Sequence, residues 1–280
     1  MSTEIYYFSG TGNSLHVAKE LQKRIPETEL IPLVSLINKG VIKTKGETVG
    51  FVFPIRFMTV PVIVKSTIKK LDLTSSKYIF AIVTRCGTPC STAFTKIENM
   101  LKKRGKHIDS YIILNMASND PKFSNWHPAT KEEIAEFEAV IQNRLNMMQD
   151  IIINRAIYQE KDAHIIYPVN YFMEQLGSFL ADTSLNRREN FFIDSKCSGC
   201  GICEKVCLSQ RIKMIDEKPV WQNNVECYFC YACINYCPEQ SIQISSNRFL
   251  KSYTDINGRY HHPESTVNDI AGQKCLPTCS

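Results

Sequence analysis

The sequence predicts a doubly wound α/β fold with a parallel sheet of five strands, followed by a small, cysteine-rich α+β domain. Over residues 1–155, apolar and β-branched segments alternate with amphipathic segments, which is the pattern of a parallel sheet covered by helices on both faces. Eight of the twelve cysteines then fall within residues 197–237. In a chain without a secretion signal, such clustering indicates metal binding rather than disulfides.

The predicted elements follow from these patterns. The strands are expected at 3–8, 30–33, 49–53, 77–84 and 107–116. The helices are expected at 13–24, after Pro61 to 71, at 90–104 and at 130–153. We therefore predict a sheet domain at 1–155, a bridging segment at 156–190 with a helix over 171–185, the cysteine-rich domain at 191–245, and a polar tail at 246–280.

Composition and charge limit the function. Of 280 residues, 44% are hydrophobic and 22% charged, which is ordinary for a globular protein. Apolar runs are strand-sized, so no membrane span is expected and a cytoplasmic location is predicted. Residues 1–155 carry a net charge of +7 and residues 156–280 a net charge of −2. The one dense basic run, 102–104, is better explained as a solvated helix end than as a nucleic-acid contact.

The cysteines form two copies of one motif, which begin 30 residues apart, at Cys197 and Cys227. In each copy, two residues separate the first cysteine from the second and the second from the third, and three residues separate the third from the fourth. This spacing suits a [4Fe–4S] cluster, with the fourth cysteine of each copy ligating the other cluster. The expected ligands of cluster I are Cys197, Cys200, Cys203 and Cys237. Those of cluster II are Cys227, Cys230, Cys233 and Cys207.

Over residues 191–245 the chain resembles the bacterial two-cluster ferredoxins. It departs from them at Leu208, where the first motif usually has the proline that the second has at Pro238. Two zinc sites are the main alternative, but zinc ribbons use separated pairs of cysteines. A purely structural role for the clusters also stays open.

A second motif follows the first predicted strand. Its hydroxyls and glycines, at the start of a helix, could hold a phosphate. No lysine follows as in a Walker loop, and no dinucleotide fingerprint is present. A simple glycine turn with a helix cap is the alternative. The residues are Ser9, Gly10, Thr11, Gly12, Asn13 and Ser14.

In this context, residues 1–155 resemble the flavodoxins, which implies FMN bound with its phosphate at this loop. The resemblance implies that the flavin ring lies at the ends of the third and fourth strands. The candidate ring residues are Pro54, Ile55, Arg56, Phe57, Thr84, Arg85, Cys86 and Gly87. Phe57 could stack on the ring or be a core aromatic, and Gly87 could allow a peptide flip toward flavin N5. Thr88 and Pro89 are expected to begin the next helix.

The predicted ring site departs from flavodoxins in its charge. Flavodoxins surround the ring with acidic side chains, whereas Arg56 and Arg85 lie in the two loops here and would stabilise an anionic reduced flavin. Cys86 and Cys90 are expected to be small buried thiols or thiols of lowered pKa. The loop 117–129 could form a lid over the site.

The order of the two domains is similar to that of the flavodoxin–ferredoxin fusion proteins of anaerobes. The resemblance implies electron transfer between FMN and two [4Fe–4S] clusters, with a redox protein such as a ferredoxin or a reductase as partner. The alternative is a ferredoxin-fed, flavin-dependent reductase of a small-molecule acceptor. A regulatory redox sensor is a third interpretation.

Overall fold

The computed structural model describes residues 2–56, 59–87, 89–162, 172–173, 175–176, 179, 190–246 and 251–276. Phe57, Thr88 and most of the helix predicted over 171–185 lie outside these described residues. Within the described part of the chain, no helix is both long and apolar enough to cross a membrane.

Strands and helices alternate through the first 160 residues. The strands are β1 (Thr3–Tyr7), β2 (Thr28–Pro32), β3 (Ile42–Lys43), β4 (Thr48–Pro54), β5 (Leu71–Asp72), β6 (Tyr78–Arg85), β7 (Ser110–Asn115) and β8 (Tyr158–Gln159). The helices are α1 (Asn13–Arg24), a 3-10 turn (Leu33–Leu36), α2 (Val62–Ile68), α3 (Ser91–Lys102) and α4 (Lys131–Ile153). Cys90 is the N-cap of α3, so Pro89 precedes the helix and is not its first residue as predicted.

The main sheet has the strand order β2-β1-β4-β6-β7-β8, and all its neighbours are parallel. The part of this order that reads β2-β1-β4-β6-β7 is the flavodoxin-like order. In this order the chain places β2 on one side of β1 and then crosses β1 to place β4, β6 and β7 on the other side. The predicted fold class is therefore confirmed, but the sheet has six strands and not five. The sequence missed β8 because its two residues are exposed and include no apolar run. This strand lies in the segment that was predicted to be a bridge.

Both faces of the sheet are buried, as the continuous apolar strands predicted. Every residue of β6 is buried. Because successive side chains point to opposite faces, Val83 joins the core on the face that packs on α2 and α3. Its neighbour Ile82 joins the core beneath α1 and α4. Because these strands are parallel, their carboxyl ends lie together at one edge of the sheet. The loops after β1, β4, β6 and β7 meet at this edge.

The cysteine-rich domain consists of short elements. They are β9 (Phe191–Ile193), α5 (Ile202–Val206), β10 (Ile212–Ile215), β11 (Lys218–Trp221), α6 (Ala232–Asn235) and β12 (Ile242–Ile244), with α7 (Val267–Gly272) in the tail. Strand β9 pairs with β12, and β10 with β11, both antiparallel. Helices α5 and α6 each start after a left-handed residue, Gly201 and Tyr231, as expected for a duplicated unit.

The two domains are packed against each other through apolar side chains. Leu208 and Ala232 of the cysteine-rich domain belong to the same hydrophobic core as Phe51 of the sheet domain, together with Ile270 of the tail. The Tyr228 ring meets Phe8 edge-on, with centroids 6.3 Å apart. Burial of apolar surface therefore joins the two domains.

Candidate cofactor-binding site

The loop between β1 and α1 is a tight turn at the start of a helix. Ser9 Oγ accepts a hydrogen bond from the Gly12 N–H at 3.1 Å. Gly12 has a φ of 99° and caps α1, a conformation that L side chains rarely adopt. Backbone N–H groups and the positive end of the α1 dipole are concentrated here, which suits a phosphate.

The hydroxyls of this loop are held by neighbouring loops. Thr11 Oγ1 accepts a hydrogen bond from Asn119 Nδ2 at 2.8 Å, so its own proton is available to an acceptor. Ser14 Oγ lies 2.8 Å from Thr84 Oγ1, at the end of β6. The loop is thus positioned by the ends of two other strands.

A cavity of about 480 Å³ lies at this edge of the sheet, within the usual size range of ligand pockets. Eleven of the fourteen predicted flavin-site residues line it: Ser9, Gly10, Thr11, Asn13, Ser14, Pro54, Ile55, Arg56, Thr84, Arg85 and Cys86. Gly12 lies under the tail instead, since a Cβ there would be 2.4 Å from the Ser265 Cβ. Gly87 has a φ of 64° and open space around it, and Phe57 is outside the described residues.

The rest of the cavity wall comes from residues that the sequence did not assign to it. They are Phe8, Pro61, Ala117, Ser118, Asn119, Asp120, Phe123, Tyr228, Phe229, Cys230 and Tyr231. The predicted lid therefore contributes its first four residues and Phe123, while the last four residues belong to the second cysteine motif.

The second cysteine motif touches the phosphate-type loop directly. A Cβ added at Gly10 would lie 2.1 Å from the Cys230 carbonyl oxygen and 2.7 Å from the Cys230 Cβ. Only glycine permits this approach, because real Cβ atoms do not come so close to backbone atoms. An expected ligand of cluster II therefore lies against the loop expected to hold FMN.

Arg56 extends from the end of β4 to this same motif. Its Nη1 donates to the Phe229 carbonyl oxygen, and its Nη2 donates to Tyr231 Oη at 3.1 Å. The guanidinium carbon lies 4.4 Å from the centroid of the Phe229 ring. Arg56 lines the cavity as predicted, but its donors bind the cysteine-rich domain.

Arg85 is a buried ion pair. Its Nη1 lies 2.7 Å from Asp162 Oδ2, and the two side chains are 6% and 1% exposed. Its Nε also donates to Asn115 Oδ1 at 2.9 Å. The sequence predicted a positive charge beside the flavin, whereas Asp162 offsets that charge here.

The two cysteines near this ion pair differ in exposure. Cys90 is buried, and its N–H donates to Asp162 Oδ2 at 2.8 Å. Cys86 is exposed, so the expectation of two buried thiols is wrong for Cys86. The reason is its place in the bend that follows β6, at the rim of the cavity.

The four cysteines expected to hold cluster I lie around one space. One small cavity is lined by Cys197, Cys200, Cys203 and Cys237. Ser241 N–H donates to Cys237 Sγ at 3.4 Å. The fourth cysteine of the second motif is thus grouped with the first three of the first motif.

The thiols of cluster II form the reciprocal group. A second small cavity is lined by Cys207, Cys227, Cys230 and Cys233. Phe229 N–H donates to Cys227 Sγ at 3.3 Å. Such donors stabilise negative charge on sulfur.

Burial shapes the chemistry of both groups. It raises the pKa of Cys203 to about 11 and that of Cys230 to about 12. The other thiols of each group add repulsion, because two anions cannot share a site at low cost. Buried thiols of this kind become thiolates when a cation binds them, so the donor set fits soft, thiolate-bound iron.

The polar tail completes the site in a way that the sequence did not suggest. Gln273 Oε1 accepts a hydrogen bond from the Ser9 N–H at 3.0 Å, and Gln273 Nε2 donates to the Ser9 carbonyl oxygen at 2.8 Å. Tyr260 Oη donates to Asn13 Oδ1 at 3.0 Å. His262 N–H donates to the Thr11 carbonyl oxygen at 2.8 Å. The tail thus covers the loop from outside.

The tail also meets helices α1 and α4 at a pair of imidazoles. His262 stacks on His16 with ring centroids 4.1 Å apart, and His16 Nε2 lies 3.0 Å from Glu138. The ligand atoms of these three residues lie within 4.8 Å of one another. Stacked rings keep their lone pairs in separate, nearly parallel planes, which suits one metal ion poorly. We interpret this cluster as an attachment point of the tail.

Comparisons with known proteins agree with this division. Residues 196–242 match the family model of the 4Fe-4S dicluster domain. No curated protein matches the chain significantly.

Two solved structures are similar in part. One is a candidate flavoprotein from Bacteroides uniformis, with 18% identity over 42% of this chain and 92% of that chain and a TM-score of 0.34. The other is the Trp repressor binding protein from Bacillus subtilis, with 12% identity over 55% and 99% and a TM-score of 0.36. Because both TM-scores are low, these similarities do not define the fold, and the strand order of the sheet does. The chain therefore joins a flavodoxin-like domain to a small ferredoxin-like domain whose residues match a 4Fe-4S family model, a combination that indicates electron transfer.

Proposed function

We propose that this protein transfers electrons between an FMN in the cavity and two [4Fe–4S] clusters held by the eight motif cysteines. One observation carries the proposal: Cys230, a proposed ligand of cluster II, lines the cavity and lies against Gly10. Short separation between cofactors is what electron tunnelling requires.

The residues of the cavity fit FMN. The loop from Ser9 to Ser14 would hold the phosphate, through its N–H groups and the hydroxyls that neighbouring loops position. The ring would lie at the ends of β4 and β6, beside the switch point between β1 and β4. When bound, a flavin supplies a carrier that accepts two electrons and releases them singly.

The two thiol groups differ in access, which suggests a direction. Cys200 of cluster I is exposed, whereas the loop that carries Cys230 is packed between the domains. We propose that a soluble redox protein, such as a ferredoxin or a reductase, docks at cluster I, and that cluster II faces the flavin. The proposed domains remain 1–155, 191–245 and the tail, with β8 and Asp162 added to the first.

One observation favours a second candidate function. The lid residues Asn119 and Asp120 give the cavity a polar wall, which a bare electron carrier does not need. A flavin-dependent reductase of a small molecule, fed through the clusters, would use such a wall.

Anaerobic stopped-flow reduction tests the proposal. The full chain, loaded with FMN and iron–sulfide, is mixed with dithionite-reduced ferredoxin, and flavin and cluster absorbances are followed separately. Flavin reduction at a rate independent of protein concentration is expected, and Cys230→Ala should abolish it while cluster I still reduces. A rate that rises in proportion to protein concentration, or the absence of bound flavin, contradicts the proposal. Net reduction of an added acceptor would favour the reductase.

A further inference from the structure

Arg56 is one of the residues through which the sheet domain binds the cluster II motif. Its backbone pairs in both directions with Thr59, at 3.1 and 2.8 Å, so the base of the side chain is fixed. Its guanidinium then bonds to Phe229 and Tyr231, which flank the ligand Cys230. It lies over both rings, 4.4 and 4.7 Å from their centroids.

The surroundings of this guanidinium are aromatic and buried. Phe229 is 7% exposed and Tyr231 is 5% exposed. A second buried cation approaches the same ring, since Lys122 Nζ lies 5.4 Å from the Tyr231 centroid. Lys122 has Asp120 at 3.8 Å, so part of its charge is balanced. Arg56 itself is half-buried, so its charge is screened less than that of a fully exposed side chain.

That positive charge reaches the sulfur ligands. The carbonyl oxygen that accepts from Arg56 Nη1 belongs to Phe229, one position before Cys230 and two positions after Cys227. The field of that charge would act on a cluster that these thiols hold. A [4Fe–4S] cluster with four cysteines carries a formal charge of about −2 when oxidised and about −3 after gaining one electron. A fixed cation stabilises the more negative state more strongly.

We propose that Arg56 is a positioning residue that holds the cluster II motif at the flavin cavity and raises the reduction potential of cluster II. The inference rests on the proposed assignment of cluster II. It differs from the role expected from the sequence, in which Arg56 acted on the flavin. In functional terms, Arg56 would draw an electron entering at cluster I inward to cluster II.

Redox titration of the full, loaded chain provides the test. Dithionite is the reductant, soluble mediators equilibrate the clusters, and electron paramagnetic resonance reports each cluster. The cluster II signal is the one missing from Cys230→Ala. Arg56→Gln should shift the cluster II potential to more negative values and leave cluster I unchanged. Arg56→Lys, which keeps the charge but loses the fork of donors, should lie between Arg56→Gln and the unmodified chain.

Arg104→Gln is the matched control. Arg104 also donates to backbone carbonyl oxygens, those of Ile68 and Leu71 at 2.6 and 2.7 Å, but it lies in the sheet domain away from the thiols. Both potentials should stay at their original values in this variant.

Two results would overturn the proposal: an unchanged cluster II potential in Arg56→Gln, or equal shifts of both clusters. If Arg56→Gln fails to retain cluster II, Arg56→Lys decides, because it keeps a positive charge but loses the forked donors that bind Phe229 and Tyr231. A negative shift confined to cluster II supports the proposal, and no shift overturns it. Because the titration equilibrates each cluster with mediators, it remains decisive even if the flavin proves not to receive electrons.

Discussion

Replacing Gly10 with alanine should separate the two domains at their point of closest approach. The new Cβ would lie 2.1 Å from the Cys230 carbonyl oxygen, whereas ordinary van der Waals contacts begin at 3.4 Å. The two loops must therefore move apart by about 1.3 Å. The opposing atoms are backbone, so no rotamer change relieves the overlap. Overpacking of this kind costs about 1–3 kcal/mol.

The expected result is a loss of electron transfer and not of cofactors. In Gly10→Ala, flavin reduction through the clusters should slow strongly, because tunnelling falls steeply with distance. The rate is measured by anaerobic stopped flow and normalised to bound flavin, since the same loop is expected to hold the phosphate. Iron content should stay at about eight per chain.

Gly40→Ala is the matched control for this experiment. Gly40 is also a loop glycine, but nothing lies within 4 Å of an added Cβ. Its rate per flavin should equal that of the unmodified chain. If Gly10→Ala also transfers electrons at the unmodified rate per flavin, the contact between Gly10 and Cys230 does not set the cofactor separation and the reasoning is refuted.

Three further predictions follow from the thiols and the tail. Cys207→Ala should lose cluster II and keep cluster I, which lowers the iron content from about eight to about four per chain. The control Cys275→Ala, at an exposed thiol, should keep both clusters. Loss of cluster I in Cys207→Ala would contradict the crossed ligation. Gln273→Ala leaves two buried groups of Ser9 without partners, at about 1–3 kcal/mol each, so it should lower the melting temperature and release FMN faster, whereas Gln22→Ala at an exposed bond should do neither. Burial, then His16 and more weakly His261, hold the pKa of His262 at about 4 instead of 6.5, against an opposing effect of Glu138. The stability that the neutral imidazole contributes is therefore fully present above pH 6.5. Up to about 3 kcal/mol of the free energy of unfolding is lost as the pH falls toward 4. Urea unfolding at several pH values should show this loss, and His262→Phe should remove that part of the pH dependence.

Local patterns were sufficient to predict most of the framework. The spacing of Cys197 to Cys207 and its copy encode a grouping that needs no knowledge of the rest of the chain. Likewise, apolar strands such as β6 are buried on both faces, which fixes their identity in the sequence. The loop from Ser9 to Ser14 was recognisable because a strand, glycines and a helix start follow one another directly.

What the sequence could not predict depends on contacts between distant segments. Arg56 follows β4 as a ring residue should, but its direction is decided by acceptors at Phe229 and Tyr231, over 170 positions away. Strand β8 exists because Tyr158 and Gln159 can add to an open sheet edge, not because of their own propensity. The tail meets the loop after β1 through the Gln273 amide, the Tyr260 hydroxyl and the His262 backbone, and such single bonds leave no periodic pattern in a sequence.

The pairing of Gln273 with Ser9 joins residues 264 positions apart, and this has a consequence for biosynthesis. Domains fold largely as units, the first-made ones first, so a nascent chain can build its sheet early. The first loop nevertheless gains its last partners only when residues 260–273 have left the ribosome. The proposed phosphate site is therefore complete only after residues 260–273 have been made, which is later than the cysteine-rich segment that precedes them in the chain.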